Sequence, residues 1–345
     1  MTVFVALSAG AATTRADINY QFVTVGNPGN TPDTAVMVQD GTTGYGAVNY
    51  TYDIGKYDVT LNQYATFLNA VATSDPFGLY NPEMATIPNI AGISRNGLEG
   101  GYTYSVIGDG QRPVTYVNWF AAARFANWLE NGQPFGLGEV AASTEKGAYN
   151  LNGATAGIFF RNPDATYWIP SENEWYKAAF YDPTLNAGSG GYWTYATRSN
   201  SLPGNVVGNL PNQANFPLQI GTTQYIMSVT QSTYYDFGTN YLSPVGAFTD
   251  SASYYGTFDQ AGDVYQWNDG VINSQGRGLR GGAWNNTYDG MESTYRANGA
   301  PYDTGNNIGF RIATVPEPSL PALTSVGLAV LATMRLRRRS TSLAV

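Results

Sequence analysis

Two residue types that carry much enzyme chemistry are missing from this chain. Its 345 residues include no cysteine and no histidine. Cysteine thiolates and imidazoles are the usual ligands of redox metals, and they are also the commonest nucleophile and general base. Serine and threonine are abundant, but they have no histidine partner. The sequence therefore favours a protein that binds a ligand over one that transforms it.

Carboxylates are the remaining side chains that could do chemistry. The chain has 25 acidic and 17 basic residues, a formal charge of −8 and a pI near 4.5. Two carboxylates can hydrolyse a glycosidic bond when they converge in space, although so many acids produce many chance pairs. A metal held by Asp289 and Glu292 is another option, but two such acids on a loop are usually solvated. No basic stripe lies outside the last dozen residues, so nucleic acid is not an expected partner.

The elements that would position these groups are few helices among long loops. The chain is 14% aromatic and contains 40 glycines and 18 prolines, which is typical of a globular protein with many turns. Capping boxes at Thr60–Gln63 and Ser171–Glu174 predict two helix starts, and Asn118 precedes a third helical stripe. Long Gly/Tyr/Asn-rich stretches such as 188–255 lie between them, and loops of this length usually carry function or bind ions.

Both ends of the chain are predicted to be targeting segments. Residues 1–16 are apolar and small, as in the later part of a signal peptide, but the basic first part is missing. We therefore expect export and a true start upstream; a frayed Ala-rich terminus is the alternative. Residues 314–345 contain a Pro-Glu-Pro box, an apolar stretch at 320–336 and a closing arginine cluster. About 17 residues is the lower limit for crossing a bilayer, and the arginines would stay on the cytoplasmic side.

The order of these three features resembles the PEP-CTERM sorting tail of Gram-negative bacteria. This resemblance implies an exosortase-type membrane protease as a partner and transient anchorage in the inner membrane. The mature protein would then lie at the cell surface or in the extracellular matrix. A plain C-terminal anchor or an amphipathic core helix is the alternative interpretation.

Six short blocks mark the region between the two ends, residues 17–313. They are YDVTLNQY (57–64), RPVTYVNW (112–119), WIPSENEW (168–175), AGDVYQW (261–267), RGGAWNN (280–286) and NIGFR (307–311). In order and spacing they resemble the formylglycine-generating enzyme, or sulfatase-modifying factor, family. The resemblance implies an α+β, elaborated C-type-lectin-like domain with twisted antiparallel sheets, about three helices and long ordered loops. That fold hosts several unrelated functions, both catalytic and binding.

The chain departs from the catalytic members at the positions that matter most. Members that oxidise a sulfatase cysteine use two cysteines after the Arg-Gly-Gly block, thought to hold copper, and these fall near Asn286 and Met291 here. The iron-dependent branch needs histidines. We therefore expect no copper, iron or nucleotide cofactor, and the resemblance is to a pseudoenzyme.

Calcium is the cofactor that the resemblance still allows. One family site would use Asp263, the Val264 carbonyl and Gln266, although a neutral amide in place of a carboxylate weakens calcium binding. A second would use Asn215, the Phe216 carbonyl and Asp236. The alternative is a tight turn whose aspartate caps backbone N–H groups.

A ligand-binding face is predicted in the segment 284–302, where the family places its substrate groove. Tyr, Trp and Asn side chains make rigid amphipathic contacts that favour recognition. The candidate residues are Trp284, Asn285, Asn286, Tyr288, Tyr295, Arg296, Asn298 and Tyr302. Alternatively, Trp284 and Arg296 are structural and the other positions line an ordinary wet loop.

The predicted function is therefore an exported, non-catalytic binding module of the bacterial surface or extracellular matrix. Its expected ligand is an extracellular polysaccharide or a surface protein. The alternatives are an oxidoreductase of the formylglycine-generating type with an atypical metal site, and a passive structural protein of the matrix.

Overall fold

A computed structural model describes residues 18–316 of the chain. The predicted signal peptide and the predicted apolar span 320–336 lie outside these residues. Within residues 18–316 no helix is both long and apolar enough to cross a membrane. The compact unit described below ends at Thr314.

The helices are short and few, and the strands are shorter still. The helices are α1 (Leu61–Val71), α2 (Glu83–Thr86), α3 (Trp119–Glu130), α4 (Glu172–Phe180) and α5 (Leu185–Gly188), with a π-helical turn at Ala141–Glu145 and a 3₁₀ turn at Tyr288–Met291. The strands are β1 (Phe22–Val25), β2 (Tyr52–Gly55), β3 (Ile93–Asn96), β4 (Thr103–Val106), β5 (Tyr167–Trp168), β6 (Tyr181–Asp182), β7 (Gly191–Tyr192), β8 (Leu218–Gln219), β9 (Tyr225–Ile226), β10 (Tyr265–Ile272), β11 (Gly276–Arg280), β12 (Ala297–Gly299), β13 (Ile308–Phe310) and β14 (Ala313–Thr314).

The three longest helices begin at the predicted capping residues. The Thr60 hydroxyl accepts from the Gln63 N–H at 3.3 Å, and the Gln63 amide oxygen accepts from the Thr60 N–H at 2.9 Å. Ser171 and Glu174 make the same reciprocal pair at the start of α4. Asn118 caps α3 by accepting from Ala121 N–H at 2.8 Å. These bonds satisfy N–H groups that would otherwise lack partners, so the local sequence determines where each helix starts.

Two four-stranded sheets form the frame, and both depend on the end of the domain. The first has the order β1-β2-β14-β5, and the second has the order β12-β11-β10-β13. The pairs are antiparallel except for β10 with β13, where Tyr265–Trp267 lie parallel to Ile308–Phe310. An all-antiparallel expectation is therefore wrong for this one pair. The crossover between β10 and β13 passes through β11, β12 and the loops around 285–307.

Aromatic packing joins the helices to the second sheet. Phe125 of α3 lies 5.3 Å from both Phe67 of α1 and Phe310 of β13, measured between ring centroids. All three rings are buried. Removing such a side chain from water contributes about 1.5–3 kcal/mol, so this cluster is a main source of the cohesion between helices and sheet.

One carboxyl group of the domain is buried where its ionised form is unfavourable. Glu139, in the loop after α3, is 8% exposed. Burial, reinforced by the negative charge of Asp75 and opposed by Arg124, raises the pKa of Glu139 to about 8. The folded protein therefore holds a proton there that the unfolded chain releases near its ordinary pKa of 4.5.

We expect the free energy of unfolding to fall as the pH rises from about 5 to 8, because the folded state binds the additional proton. Replacing Glu139 by Gln imitates the protonated form. Glu139→Gln should match the wild type near pH 5 and exceed its stability by roughly 2–4 kcal/mol near pH 8, as urea unfolding across this pH range would measure. Glu99→Gln, at an exposed carboxylate, is the control. Parallel pH curves for wild type and Glu139→Gln would contradict the assignment.

Candidate functional site

Gln266 fixes the elements behind the candidate site. Its side chain on β10 is fully buried. Its Oε1 accepts from Trp175 Nε1 at 2.7 Å and from Arg311 Nε at 2.6 Å, and its Nε2 donates to the Asp259 carbonyl at 2.7 Å. This amide therefore ties α4 and the end of β13 to β10.

Asp263 and Asn215, which belong to different predicted calcium sites, are brought together. Asn215 Nδ2 donates to Asp263 Oδ1 at 2.9 Å, while Ser243 donates its N–H at 3.2 Å to Oδ1 and its hydroxyl at 2.9 Å to Oδ2. Both residues are buried. Hydrogen-bond donors of the protein thus occupy both oxygens of the carboxylate.

The other predicted calcium ligands are dispersed. The Phe216 carbonyl accepts from Asn205 Nδ2 at 3.0 Å, and Val264 is buried in an apolar cluster with Trp284. Asp236 lies in an exposed turn, where its carboxylate accepts from Gly238 N–H at 3.0 Å and from the Thr239 hydroxyl at 2.8 Å. Among residues 18–316 no group of three acidic, His or Cys side chains is placed to hold a metal ion. The arrangement favours hydrogen-bonding roles for these oxygens, and calcium binding by them stays a prediction.

Trp284 and Arg296 of the predicted ligand face support the fold. Trp284 is 1% exposed, and its Nε1 donates to the Asn306 carbonyl at 3.1 Å. The Arg296 guanidinium makes a two-bond ion pair with Glu172, at 2.8 and 2.7 Å, and a further bond of 2.6 Å to Asp40. These contacts occupy both side chains within the domain.

The tyrosines of the same face differ in exposure. Tyr288 is 41% exposed in the 3₁₀ turn, and Tyr302 is 60% exposed in the turn after β12. Asn298 is exposed on β12, and Tyr295 is half-buried just before that strand. These four residues do not line the groove described next.

A groove of about 540 Å³ lies beside the Arg-Gly-Gly block. One wall comes from the long stretch before β10, and the other comes from the loop after Trp284. We call it the aromatic groove, and it is lined by Pro217, Thr223, Gln224, Tyr225, Met227, Thr233, Tyr235, Asn285 and Thr287. A second groove of similar volume, at the start of α1, is lined mainly by amide and hydroxyl side chains such as Asn62, Gln63 and Gln111.

Stacked rings connect the wall of the aromatic groove to the core. Tyr241 lies parallel to Trp284, with the ring centroids 5.6 Å apart and an interplanar angle of 5°. Tyr235 stacks on Tyr241 at 5.0 Å and 12°, and Phe237 meets Tyr235 edge-on at 5.1 Å. We call these four residues the aromatic ladder. Its inner rings, Trp284 and Tyr241, are 1% exposed whereas Phe237 is 74% exposed, so Tyr235 presents its surface to the groove from a fixed support.

Amide groups are held by one another where the loop after Trp284 lines the groove. Asn307 Nδ2 donates to Asn285 Oδ1 at 2.9 Å and to Asn286 Oδ1 at 3.2 Å. Asn285 Nδ2 donates weakly to Asn306 Oδ1 at 3.4 Å. The groove therefore combines aromatic faces with oriented amides, and Asn286 is adjacent to its wall.

The chain belongs to the family of the sulfatase-modifying factor enzyme 1-like domain, whose sequence model matches residues 22–315. Because the chain has no cysteine, the catalytic cysteine pair of that family is absent. Near the second of these positions Met291 is buried against Gly282.

Among solved structures, CarF is 18% identical with a TM-score of 0.50, over 87% of this chain and 99% of CarF. Treponema denticola variable protein 1 is 18% identical with a TM-score of 0.49, over 88% and 98% of the two chains. PvdO from Pseudomonas aeruginosa is also 18% identical, with a TM-score of 0.46, over 88% and 100%. No curated protein matches the chain. The predicted α+β fold of the formylglycine-generating-enzyme type, with three helices longer than seven residues, is confirmed.

Sequence reasoning identified only part of the groove. It named Asn285 and the stretch around 284–288, but not Tyr225, Met227 or Tyr235. The available signal was the length and aromatic content of the stretch 188–255, which marked the region and not the residues.

Calcium titration tests the predicted metal ligands. Because Asn215 and Ser243 already donate to Asp263, we expect the melting temperature to be the same in millimolar calcium and in excess EDTA. Differential scanning fluorimetry of wild type and of Asp263→Asn in both conditions would measure this. A rise in melting temperature with calcium that Asp263→Asn abolishes would show instead that these side chains rearrange around the ion.

Proposed function

We propose that this chain is a non-catalytic binding module and that its aromatic groove recognises a polysaccharide. The observation that carries the proposal is the pairing of Tyr225 and Tyr235 with the fixed amide of Asn285 around one groove. Aromatic faces suit the apolar C–H faces of sugar rings, and amides suit their hydroxyl groups. Buried ligand pockets generally combine such apolar walls with a few placed polar groups.

Contacts with neighbouring side chains hold the lining residues of the groove in place, which favours ligand binding without a large rearrangement. Tyr235 stacks on the buried Tyr241 and is in edge-on contact with Phe237, and Asn285 is held by Asn307. A wall that is already ordered loses little conformational entropy on binding, and this lowers the cost of association. The absence of the family's cysteine pair supports the non-catalytic part of the proposal.

Export is the second part of the proposal. The sequence of residues 314–345 supports sorting by an exosortase-type membrane protease, with the mature protein at the cell surface or in the matrix. A strain that lacks this protease should retain the full-length protein in its membrane. Normal release in that strain would contradict the sorting proposal and leave the groove proposal intact.

A glycan and polysaccharide array, run with calcium and with EDTA, tests the binding function directly. We expect saturable binding of at least one polysaccharide that the double variant Tyr225→Ala/Tyr235→Ala weakens by about tenfold or more, because a central interface tyrosine typically contributes over 1 kcal/mol. Isothermal calorimetry on the best ligand measures the change.

The matched control is Tyr288→Ala/Tyr302→Ala, which removes two exposed tyrosines of the sequence-predicted face that lie outside the groove. It should bind like the wild type. If only this control lost binding, the ligand-binding site would be assigned to the sequence-predicted face and not to the aromatic groove. Capture of a surface protein, with no glycan bound by the folded chain, would replace the polysaccharide proposal.

A further inference from the structure

The charges around the aromatic groove limit the kind of polysaccharide that it can accept. None of its nine lining residues carries a formal charge. No Lys or Arg occurs between Arg198 and Arg277, the part of the chain that supplies the longer wall, and none occurs between Arg280 and Arg296, which supplies the shorter one. An anionic ligand would therefore find no cationic partner on the walls themselves.

Three arginines from other parts of the domain bind groups of the fold. Arg112 Nε donates to the Leu242 carbonyl at 2.8 Å, just after the aromatic ladder. Arg280 and Arg296 both bind Glu172. Glu172 compensates the charges of Arg280 and Arg296, whereas Arg112 donates to a neutral carbonyl, and none of these three arginines lines the groove.

Two carboxylates flank the groove instead. Asp236 follows Tyr235 directly and lies in an exposed turn, where bonds from Gly238 and Thr239 hold its pKa below its ordinary value. Asp289 accepts a hydrogen bond from the hydroxyl of Thr287, a lining residue. Each carboxylate is thus one residue or one hydrogen bond away from a lining residue of the groove.

We infer that the aromatic groove selects neutral polysaccharides and rejects those that carry carboxylates. The inference rests on the proposed function and deepens it by naming the class of glycan. Uncharged sugar rings can stack on Tyr225 and Tyr235 and bond to Asn285. A uronic acid in the same position would lie near the negative charges of Asp236 and Asp289, with no Lys or Arg among the lining residues to compensate its own charge. Repulsion between like charges is a recognised means of rejecting wrong ligands.

The test uses neutral polymers and their charged counterparts, so that the sugar backbone stays the same. The probes are dextran, laminarin and hydroxyethyl cellulose, each paired with its carboxymethylated form, and affinity electrophoresis or calorimetry measures binding. At about 10 mM salt, where the Debye length is about 30 Å, we expect the charged form to bind at least about fivefold more weakly. Near 1 M salt, where this length is about 3 Å, the difference should shrink below about twofold.

Asp236→Asn/Asp289→Asn is the informative variant. Asparagine keeps one acceptor oxygen, for the Gly238 N–H at position 236 and for the Thr287 hydroxyl at position 289, and its Nδ2 can donate to the Thr239 hydroxyl. The turn and the loop should therefore persist, and binding of the neutral polymer should change by less than about twofold. The charged form should gain about fivefold at low salt. Glu99→Gln/Asp164→Asn removes two exposed carboxylates elsewhere and should leave the discrimination unchanged, which separates a local effect from that of net charge.

The outcomes distinguish this inference from the proposed function. If charged and neutral polymers bind equally and Tyr225→Ala/Tyr235→Ala abolishes both, the selectivity is wrong while the polysaccharide function stands. If the control variant relaxes the discrimination as much as Asp236→Asn/Asp289→Asn, net charge and not the groove is responsible. If the folded protein binds none of the six polymers and nothing on the glycan array, both proposals fail.

Discussion

The hydrogen bonds of the Gln266 side chain are the constraint on which the rest of the domain depends. One amide serves Trp175 of α4, Arg311 beyond β13 and the Asp259 carbonyl before β10. Arg311 in turn donates to the carbonyls of Gly55 and Phe258 and to Asp58. Burying a polar group without a hydrogen-bond partner costs free energy. Moving any of these segments would leave several buried polar groups without partners at once. The position of the second sheet against α4 is thereby fixed.

The wall of the aromatic groove is held in place by contacts with α4 and the second sheet. Trp284 follows the Arg-Gly-Gly block, whose Arg280 is pinned by Glu172 at the start of α4. From Trp284 the aromatic ladder continues through Tyr241 and Tyr235 toward solvent. A surface built almost entirely from loops therefore behaves as an extension of the core. This explains how long segments with little regular secondary structure can present an ordered wall.

Local signals in the sequence predicted the parts of the fold that depend on neighbours in the chain. Thr60, Asn118 and Ser171 mark helix starts because capping involves residues only three positions apart. The groove could not be predicted in this way, since Tyr235 and Asn285 are fifty positions apart in the chain and only the fold brings them to one groove. Likewise, Gln266 and Asp263 look like oxygen ligands for calcium in a list of residues. Only the fold reveals that Trp175, Arg311, Asn215 and Ser243 already donate to them.

The positions of β13 and β14 in the two sheets determine when each sheet can be completed during synthesis of the chain. β14 lies between β2 and β5 in the first sheet, and β13 closes the second sheet beside β10. Arg311, between these two strands, also reaches back to Gly55. A chain emerging from its N-terminus cannot complete the second sheet before residue 310, or the first sheet before residue 314, has been synthesised. Until residue 310 the growing polypeptide therefore lacks both finished sheets, and only the last two strands complete the frame of the domain.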